Sequence, residues 1–194
     1  MLTFSKNNSV VFCKTKDKYG GLSNMCAGYP INVNGVIFNT SEALYQSLKF
    51  PHNVEVQRKI LEARSPMAAK MISKEFIEFE RPDWREVNID IMRWCLRAKL
   101  ICNWSKLGEL LMSTYNLQIV ELSYKDDFWG AKPIGDNFKG YNILGRLLNE
   151  LRDDYIKTGD RACYQLKPLN IPDFLLFNEQ IEKIVITRNH TKGI

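Results

Sequence analysis

The chain has 194 residues, of which 45% are hydrophobic and 25% charged, and a formal net charge of +5 at pH 7. This length suits a single domain, because such a chain buries roughly 70% of the surface that it exposes when unfolded. Its two histidines, His52 and His190, lie far apart and have no Cys or His beside them at metal-ligand spacing. We therefore expect no zinc site and no histidine-activated nucleophile, and any proton transfer must use carboxylates or lysines.

The 27 Lys and Arg exceed the 22 Asp and Glu, and this mild excess favours anionic, phosphate-bearing partners. No signal peptide and no stretch near the ~20 apolar residues of a membrane span are apparent. The cysteines are odd in number, lack a C-x-x-C pair and mostly lie in apolar runs: Cys13, Cys26, Cys95, Cys102 and Cys163. We therefore expect reduced, buried thiols, a cytoplasmic location and no membrane contact.

The first elements along the chain are short strands and turns. Residues 8–13 are β-branched and aromatic and predict a strand, which is followed by a polar loop ending in GGLSN at 20–24. The dipeptide Asn34-Gly35 between two apolar runs favours a two-residue turn and predicts a hairpin at about 30–38.

A helix is expected to follow this hairpin directly. Asn39 and Glu42, three positions later, resemble a capping box that starts a helix. Continuing this helix places Glu42, Tyr45, Gln46 and Lys49 at i, i+3, i+4 and i+7, so they share one face. A carboxylate, a phenol, an amide and an ammonium group are predicted to converge there.

The remaining patterns are mostly helical and end in a C-terminal segment of different character. Helices are predicted at 54–63, from Ser65-Pro66 through MAAKMISK, and at about 86–102, 105–115 and 142–157. A strand is predicted at 117–123 and a long loop at 125–140. From about 159, prolines punctuate the chain, and FLLF and KIVIT resemble short strands. The overall prediction is a compact, mainly helical α+β fold with short β-strands, comprising a domain at 1–158 and an extension at 159–194.

Four groups of residues are candidates for chemistry, and each has a structural alternative. Glu42 with Lys49 would line a pocket, although periodicity alone favours a helix cap and a surface lysine. Asp126 with Trp129 and Gly130, in the loop YKDDFWG, suits a pocket that stacks a planar ring, but a structural Trp that anchors the loop is equally compatible. Trp84, which follows Arg-Pro-Asp, could likewise line a pocket or only anchor its loop. Ser23 and Asn24 follow paired glycines and can bind hydroxyl groups, with a plain turn as the default, because no P-loop or dinucleotide-binding spacing is present.

The order of these signals is more specific than any one of them. The blocks are YGGLSN, TSEALYQSLKF, SPMAAK, RPDW, LRAKL, DDFWG and GYNILGRLLNELR. This succession, over about 12–155, resembles the NADAR superfamily, whose best-known branch is YbiA-like. The resemblance implies a compact, mainly helical α+β fold and hydrolysis of N-glycosidic bonds between a ribose and an amino nitrogen. It implies two substrate classes: ADP-ribose on guanine in DNA, for antitoxins that reverse a DNA-modifying ADP-ribosyltransferase, and phosphorylated ribosyl intermediates of riboflavin synthesis.

Carried over position by position, the resemblance implies catalytic roles for Glu42, Lys49 and Asp126. The chain departs from YbiA-like members at Ala43, where they commonly have His, and in MISKEF, which replaces a G-R block. The resemblance also implies binding roles for Trp84 and Trp129. The full set of predicted ligand-binding residues is Ser23, Asn24, Tyr45, Gln46, Trp84, Trp129, Gly130, Asn142 and Gly145.

The chemistry requires an acid for the departing nitrogen and a group that stabilises positive charge on the ribose, roles that Glu42 and Asp126 would divide. A Schiff base on Lys49 ranks slightly below this carboxylate mechanism. The tryptophans would stack the base or adenine, while Ser23, Asn24 and the backbone near Gly145 would hold ribose or phosphate. No metal or cofactor is expected. A non-catalytic ADP-ribose-binding module and a purely structural domain remain alternatives, and the sequence leaves the physiological substrate and the oligomeric state open.

Overall fold

The structure is a computed structural model that describes residues 1–159 and 163–187. It combines helices with small sheets, as the predicted α+β class requires. The α-helices in the described residues are α1 (Ser41–Ser47), α2 (Val54–Leu61), α3 (Pro66–Glu75), α4 (Trp84–Cys102), α5 (Trp104–Met112) and α6 (Ile143–Thr158). The strands are β1 (Leu2–Ser5), β2 (Ser9–Phe12), β3 (Ile31–Val33), β4 (Val36–Phe38), β5 (Gln118–Glu121), β6 (Lys132–Ile134), β7 (Asn137–Gly140), β8 (Cys163–Leu166), β9 (Leu175–Leu176), β10 (Glu179–Gln180) and β11 (Ile184–Thr187).

Contacts within the chain define two compact units. The first unit comprises Met1–Cys26 and Trp104–Lys157, and the second comprises Ala27–Asn103 and the chain from Thr158 onward. The described residues after 162 thus belong to the second unit and form no unit of their own. The predicted boundary between 158 and 159 stays a prediction.

The first unit is built around a parallel strand pair. β2 and β5 run parallel, from the pair Ser9 and Gln118 to the pair Phe12 and Glu121. An antiparallel sheet in the order β1-β7-β6 accompanies them and contributes to a small apolar core, formed by Phe4, Val120, Ala131 and Phe138. Because β2 and β5 are parallel, the loops that follow them leave from the same end of the pair.

The start of α6 packs closely against β5. The side chain of Asn142 donates a hydrogen bond to the carbonyl of Ile119 (2.9 Å) and accepts one from the amide of Glu121 (3.1 Å). A Cβ on Gly145 would lie 2.1 Å from the Ile119 carbonyl oxygen and 2.4 Å from the Asn142 amide nitrogen. Gly145 therefore permits a close approach of helix and strand that no larger residue allows.

Gly145→Ala should destabilise the protein by about 1–3 kcal/mol, the usual cost of overpacking. The loss should appear although Ala in a helix is favoured over Gly by about 1 kcal/mol. Urea denaturation measures this change, with Lys157→Ala on the exposed face of α6 as the control, expected within about 0.5 kcal/mol of the wild type. A Gly145→Ala protein as stable as the control would contradict the packing argument.

The second unit begins with the predicted hairpin. β3 and β4 pair antiparallel, and Asn34 and Gly35 have φ angles of 51° and 82°, as a turn with two left-handed residues requires. In the same unit α1 packs against α2, α3 and α4, and α4 also contacts β8 and β11.

Most predicted elements are confirmed, but β1, β6, β7, β8 and β10 were not predicted. The loop predicted at 125–140 contains the hairpin of β6 and β7, which the pattern missed because β6 has only three residues and one of them is Pro133. The cysteines are also less buried than expected: Cys95 is buried, Cys26 and Cys102 are intermediate, and Cys13 is exposed. All four are free thiols, as predicted, and the side chain of Cys163 lies outside the described residues.

Candidate active site

The start of α1 differs from the sequence prediction, and the difference matters for Glu42. The N-cap is Thr40, whose hydroxyl accepts the amide hydrogen of Ala43 at 3.2 Å. The predicted capping box of Asn39 and Glu42 is therefore wrong, because Glu42 occupies the second helical position and not the third. Its carboxylate instead accepts a hydrogen bond from the side-chain amide of Gln46 at 2.7 Å. Helix capping thus no longer explains why a carboxylate stands at this position.

Glu42 is a buried carboxyl group, with 5% of its surface exposed. Burial raises its pKa above the ordinary value, and the opposing effects of the Gln46 hydrogen bond and the Lys70 and Lys49 charges do not cancel this rise. Its negative charge also adds to the effect of burial in raising the pKa of Cys95. Such a carboxyl group retains its proton at a higher pH than an exposed glutamate, as a general acid must.

The raised pKa of Glu42 makes protein stability depend on pH. The native state binds this proton more tightly than the unfolded state, so ionisation above the ordinary pKa of 4.5 disfavours the native state progressively. Glu42→Gln should therefore raise Tm at about pH 7.5, and this gain should shrink at about pH 4, where both states are protonated. Differential scanning calorimetry at the two pH values tests this, with the exposed Glu55→Gln as control. A gain of equal size at both pH values would contradict the assigned cause.

Lys49 lies beyond the end of α1, since Leu48 is the C-cap. The predicted continuous helical face therefore stops short of it. Its ammonium nitrogen nevertheless lies 3.0 Å from Oε2 of Glu80 and 4.8 Å from the ring centroid of Trp84. The Tyr45 ring contacts the same tryptophan, at 4.9 Å between centroids and 52° between planes. Lys49 is thus a held, largely buried cation and not a free surface lysine.

Glu80 and Lys70 are members of this cluster that the sequence reasoning missed. Glu80 lies in the link before α4, 31 residues after its partner Lys49, and no periodicity connects the two. The backbone completes the arrangement, because the amide of Arg81 donates to the carbonyl of Lys49 at 2.8 Å. The only sign of this pair is that two largely buried, opposite charges lie together. That sign becomes visible only once the fold is known.

Asp126 and Trp129 lie in the first unit. Oδ1 of Asp126 accepts the amide hydrogens of Phe128 (2.9 Å) and Trp129 (3.0 Å), so this carboxylate shapes the turn. The Trp129 ring meets Phe128 edge to face at 5.3 Å. A Cβ on Gly130 would lie 2.6 Å from the carbonyl oxygen of Glu121, so this glycine also serves the close packing of the loop. The catalytic role of Asp126 and the ligand-binding roles of Trp129 and Gly130 stay predictions.

Ser23 and Asn24 are each 5% exposed, and the Ser23 hydroxyl accepts the amide hydrogen of Met25 at 3.2 Å. The parallel pairing of β2 and β5 brings the loops that carry GGLSN and DDFWG to one end of the strand pair. Both predicted loop groups therefore belong to the same unit, and ligand binding by Ser23 and Asn24 stays a prediction.

The N-terminus of α6 is already engaged by its own unit. The amides at 142, 143 and 144 donate to the carbonyls at 130, 128 and 129, with distances of 3.1, 3.0 and 3.0 Å. Both polar atoms of the Asn142 side chain are bonded as well. The contacts of Asn142 and Gly145 are therefore structural, and their assignment to ligand binding stays a prediction.

The residues that the structure describes contain neither a metal-binding cluster nor a helix suited to a membrane. No group of three or more His, Cys, Asp or Glu side chains is placed to hold a metal ion. No helix in these parts of the chain combines the length and apolar character needed to cross a bilayer.

Comparison with known proteins gives consistent matches. The family model described as NADAR domain matches residues 11–155. N-glycosidase YbiA of Escherichia coli is 37% identical over 142 residues, which is 73% of this chain and 85% of YbiA. A riboflavin biosynthesis protein of Vibrio vulnificus is 33% identical over 147 residues, 75% of this chain but only 38% of that longer protein. The NMR structure of E. coli YbiA matches with a TM-score of 0.67 at 34% identity, over 79% of this chain and 89% of that chain.

Proposed function

The chain belongs to the NADAR family, and from this premise we propose that it is an N-glycosidase that cleaves the bond between a ribose and an amino nitrogen. The observation that carries the proposal is Glu42, a buried carboxyl group with a raised pKa that a side-chain amide holds in place. The name of the relative YbiA, an N-glycosidase, supports the same class of reaction.

Glu42 acts as the general acid in this proposal. Cleavage leaves electrons on the departing nitrogen, and protonation of that nitrogen by the carboxyl group makes it a better leaving group. The hydrogen bond from Gln46 fixes the orientation of the carboxyl group, and the positive charge of Lys70 favours its ionised form after the proton has left. Asp126 remains the predicted second carboxylate, which would stabilise positive charge on the ribose.

Lys49 acts as a fixed positive charge. Its ammonium group has Glu80 on one side and the face of Trp84 on another, and these two contacts hold it in place. A phosphate of the substrate is the natural partner for this cation. In the alternative Schiff-base route, Lys49 would lose its proton and attack C1 of the ring-opened ribose, and the amino group would depart as the new C=N bond forms. The ion pair with Glu80 favours the electrostatic role.

The substrate that we propose first is ADP-ribose linked to guanine in DNA, which would make the protein an antitoxin to a DNA ADP-ribosyltransferase. The net charge of +5 supports a phosphate-rich substrate of this kind. The second candidate is a phosphorylated ribosyl intermediate of riboflavin synthesis, and it is favoured by the name of the Vibrio vulnificus relative.

The test incubates the purified protein with each substrate separately and follows release of the ribosyl product by mass spectrometry. We expect release from an ADP-ribosylated guanine oligonucleotide at a higher kcat/KM than from the phosphorylated ribosylamino compound. The reverse order would assign the second substrate. Binding of either compound without consumption would replace the enzyme by a non-catalytic ribosyl-binding module.

A further inference from the structure

Exposed lysines lie in the two loops that leave the same end of the parallel strand pair in the first unit, and we call the surface of these loops the lysine-rich rim. The loop after β2 carries Lys14, Lys16 and Lys18, and the loop after β5 carries Lys125. All four side chains are exposed. Since β2 and β5 are neighbours in parallel register, up to Phe12 beside Glu121, both loops start one strand spacing apart, about 4.8 Å.

The acidic residues in these loops are held by local contacts. Asp17 accepts the amide hydrogens of Lys14 and Cys13, both at 2.8 Å, and these bonds lower its pKa. Asp126 accepts two amide hydrogens of its own turn, and Asp127 pairs with Lys132 at 2.8 Å. The three carboxylates therefore bond to groups that lie close to them in the sequence. Lys16, Lys18 and Lys125, in contrast, form no ion pair among the described residues. The rim presents net positive charge to a partner.

Exposed aromatic rings accompany these lysines. Tyr124 is 70% and Phe128 39% exposed. The Phe128 ring is held by Trp129 at 5.3 Å and lies 6.1 Å from the Tyr141 ring. A ring fixed in this way keeps its position without a ligand, so it can stack on a planar base at little cost in conformational entropy.

We propose that this rim, formed by Lys14, Lys16, Lys18, Tyr124, Lys125 and Phe128, is a docking surface for single-stranded nucleic acid. The lysines contact backbone phosphates and the two rings stack on bases, which is the combination that binds single strands without reading their sequence. The inference deepens the proposed function, on which it rests: the strand that carries the modified guanine would be held by its unmodified nucleotides. A duplex offers no free base faces to Tyr124 and Phe128, so it binds more weakly.

The first test measures binding of a fluorescent, unmodified single-stranded oligonucleotide by anisotropy at several salt concentrations. Replacing Lys14, Lys16, Lys18 and Lys125 by Gln together should weaken binding at least about tenfold at low salt and reduce the salt slope by roughly 3. The matched control replaces four other exposed lysines, Lys74, Lys139, Lys167 and Lys183, and has the same net charge. At about 0.1 M salt its affinity should remain within about twofold of the wild type, because charges more than about 10 Å from the bound strand are then largely screened.

The second test separates stacking from charge. Tyr124→Ala with Phe128→Ala should weaken single-strand binding about tenfold or more, since each stacked base contributes about 1–3 kcal/mol. The control Phe79→Ala removes a ring that is 52% exposed in the second unit and should have no effect. Equal losses in both lysine variants, equal affinity for duplex and single strand, or binding to phosphatidylserine vesicles but not to DNA would each overturn the proposal. Because the oligonucleotide is unmodified, these outcomes are independent of whether the protein cleaves ADP-ribosyl-guanine.

Discussion

Glu42→Gln should lower the rate of ribosyl release by about 10²–10⁴-fold, the usual contribution of a general acid. Glutamine has the same shape and can accept the Gln46 hydrogen bond, but it cannot deliver a proton to the departing nitrogen. KM should change little, because the lost interaction belongs to the transition state. Single-turnover kinetics with product detection by mass spectrometry measures the effect.

The controls for Glu42→Gln separate chemistry from folding. The variant should be at least as stable as the wild type at neutral pH, since the buried charge has been removed. His52→Ala breaks only a 3.1 Å contact with Asp173 between side chains that are both more than half exposed, so it should retain activity. Wild-type turnover by a folded Glu42→Gln protein would remove Glu42 from the mechanism.

Lys49→Met should reduce kcat/KM by about 10²–10³-fold, the range seen when one electrostatic stabiliser is removed from an active site. It should also destabilise the protein by about 1–3 kcal/mol, because Glu80 is left without its partner in a largely buried position. Lys49→Arg keeps the charge and should retain more activity than the methionine variant. Steady-state kinetics and urea denaturation measure the two effects.

The double variant Lys49→Met with Glu80→Gln distinguishes the two roles of the lysine. Removing both charges should restore much of the stability while leaving activity low, since the unpaired carboxylate is gone and the cation is still missing. Borohydride reduction during turnover adds a chemical criterion. A covalent adduct on Lys49 would favour the Schiff-base route over the electrostatic one, and full activity of Lys49→Met would exclude both.

Much of the fold could be predicted from local patterns in the sequence. Asn34-Gly35 predicts its hairpin because few residues tolerate two consecutive left-handed conformations, and Ser65-Pro66 predicts the start of α3 because it supplies a cap and a preset φ angle. Both signals depend only on residues within about four positions of one another in the sequence. The β6–β7 hairpin was missed because β6 is short and contains Pro133, and because β7 pairs with β1, a strand that is far away in the sequence.

The candidate site was predictable only where its contacts join residues that are close in the sequence. Glu42 and Gln46 are one helical turn apart, so their hydrogen bond follows from spacing alone. The contacts of Lys49 with Glu80 and Trp84 do not follow from spacing, because two helices separate Lys49 from these residues along the chain. The capping box was a wrong prediction because Asn39 and Thr40 are both good caps, and only the backbone angles of the folded chain select between them.

The C-terminal extension has a consequence for any shortened version of this protein. The guanidinium of Arg81 donates to the carbonyls of Pro172 (2.6 Å) and Asp173 (3.4 Å), and the Gln57 side chain accepts the amide hydrogen of Phe177 at 2.7 Å. The family match ends at residue 155, so a fragment trimmed to it would lose these partners. Arg81 directly follows Glu80, and trimming would therefore loosen the segment that anchors Lys49. We therefore expect a stable fragment of this protein to need residues beyond its family match, at least through Phe177.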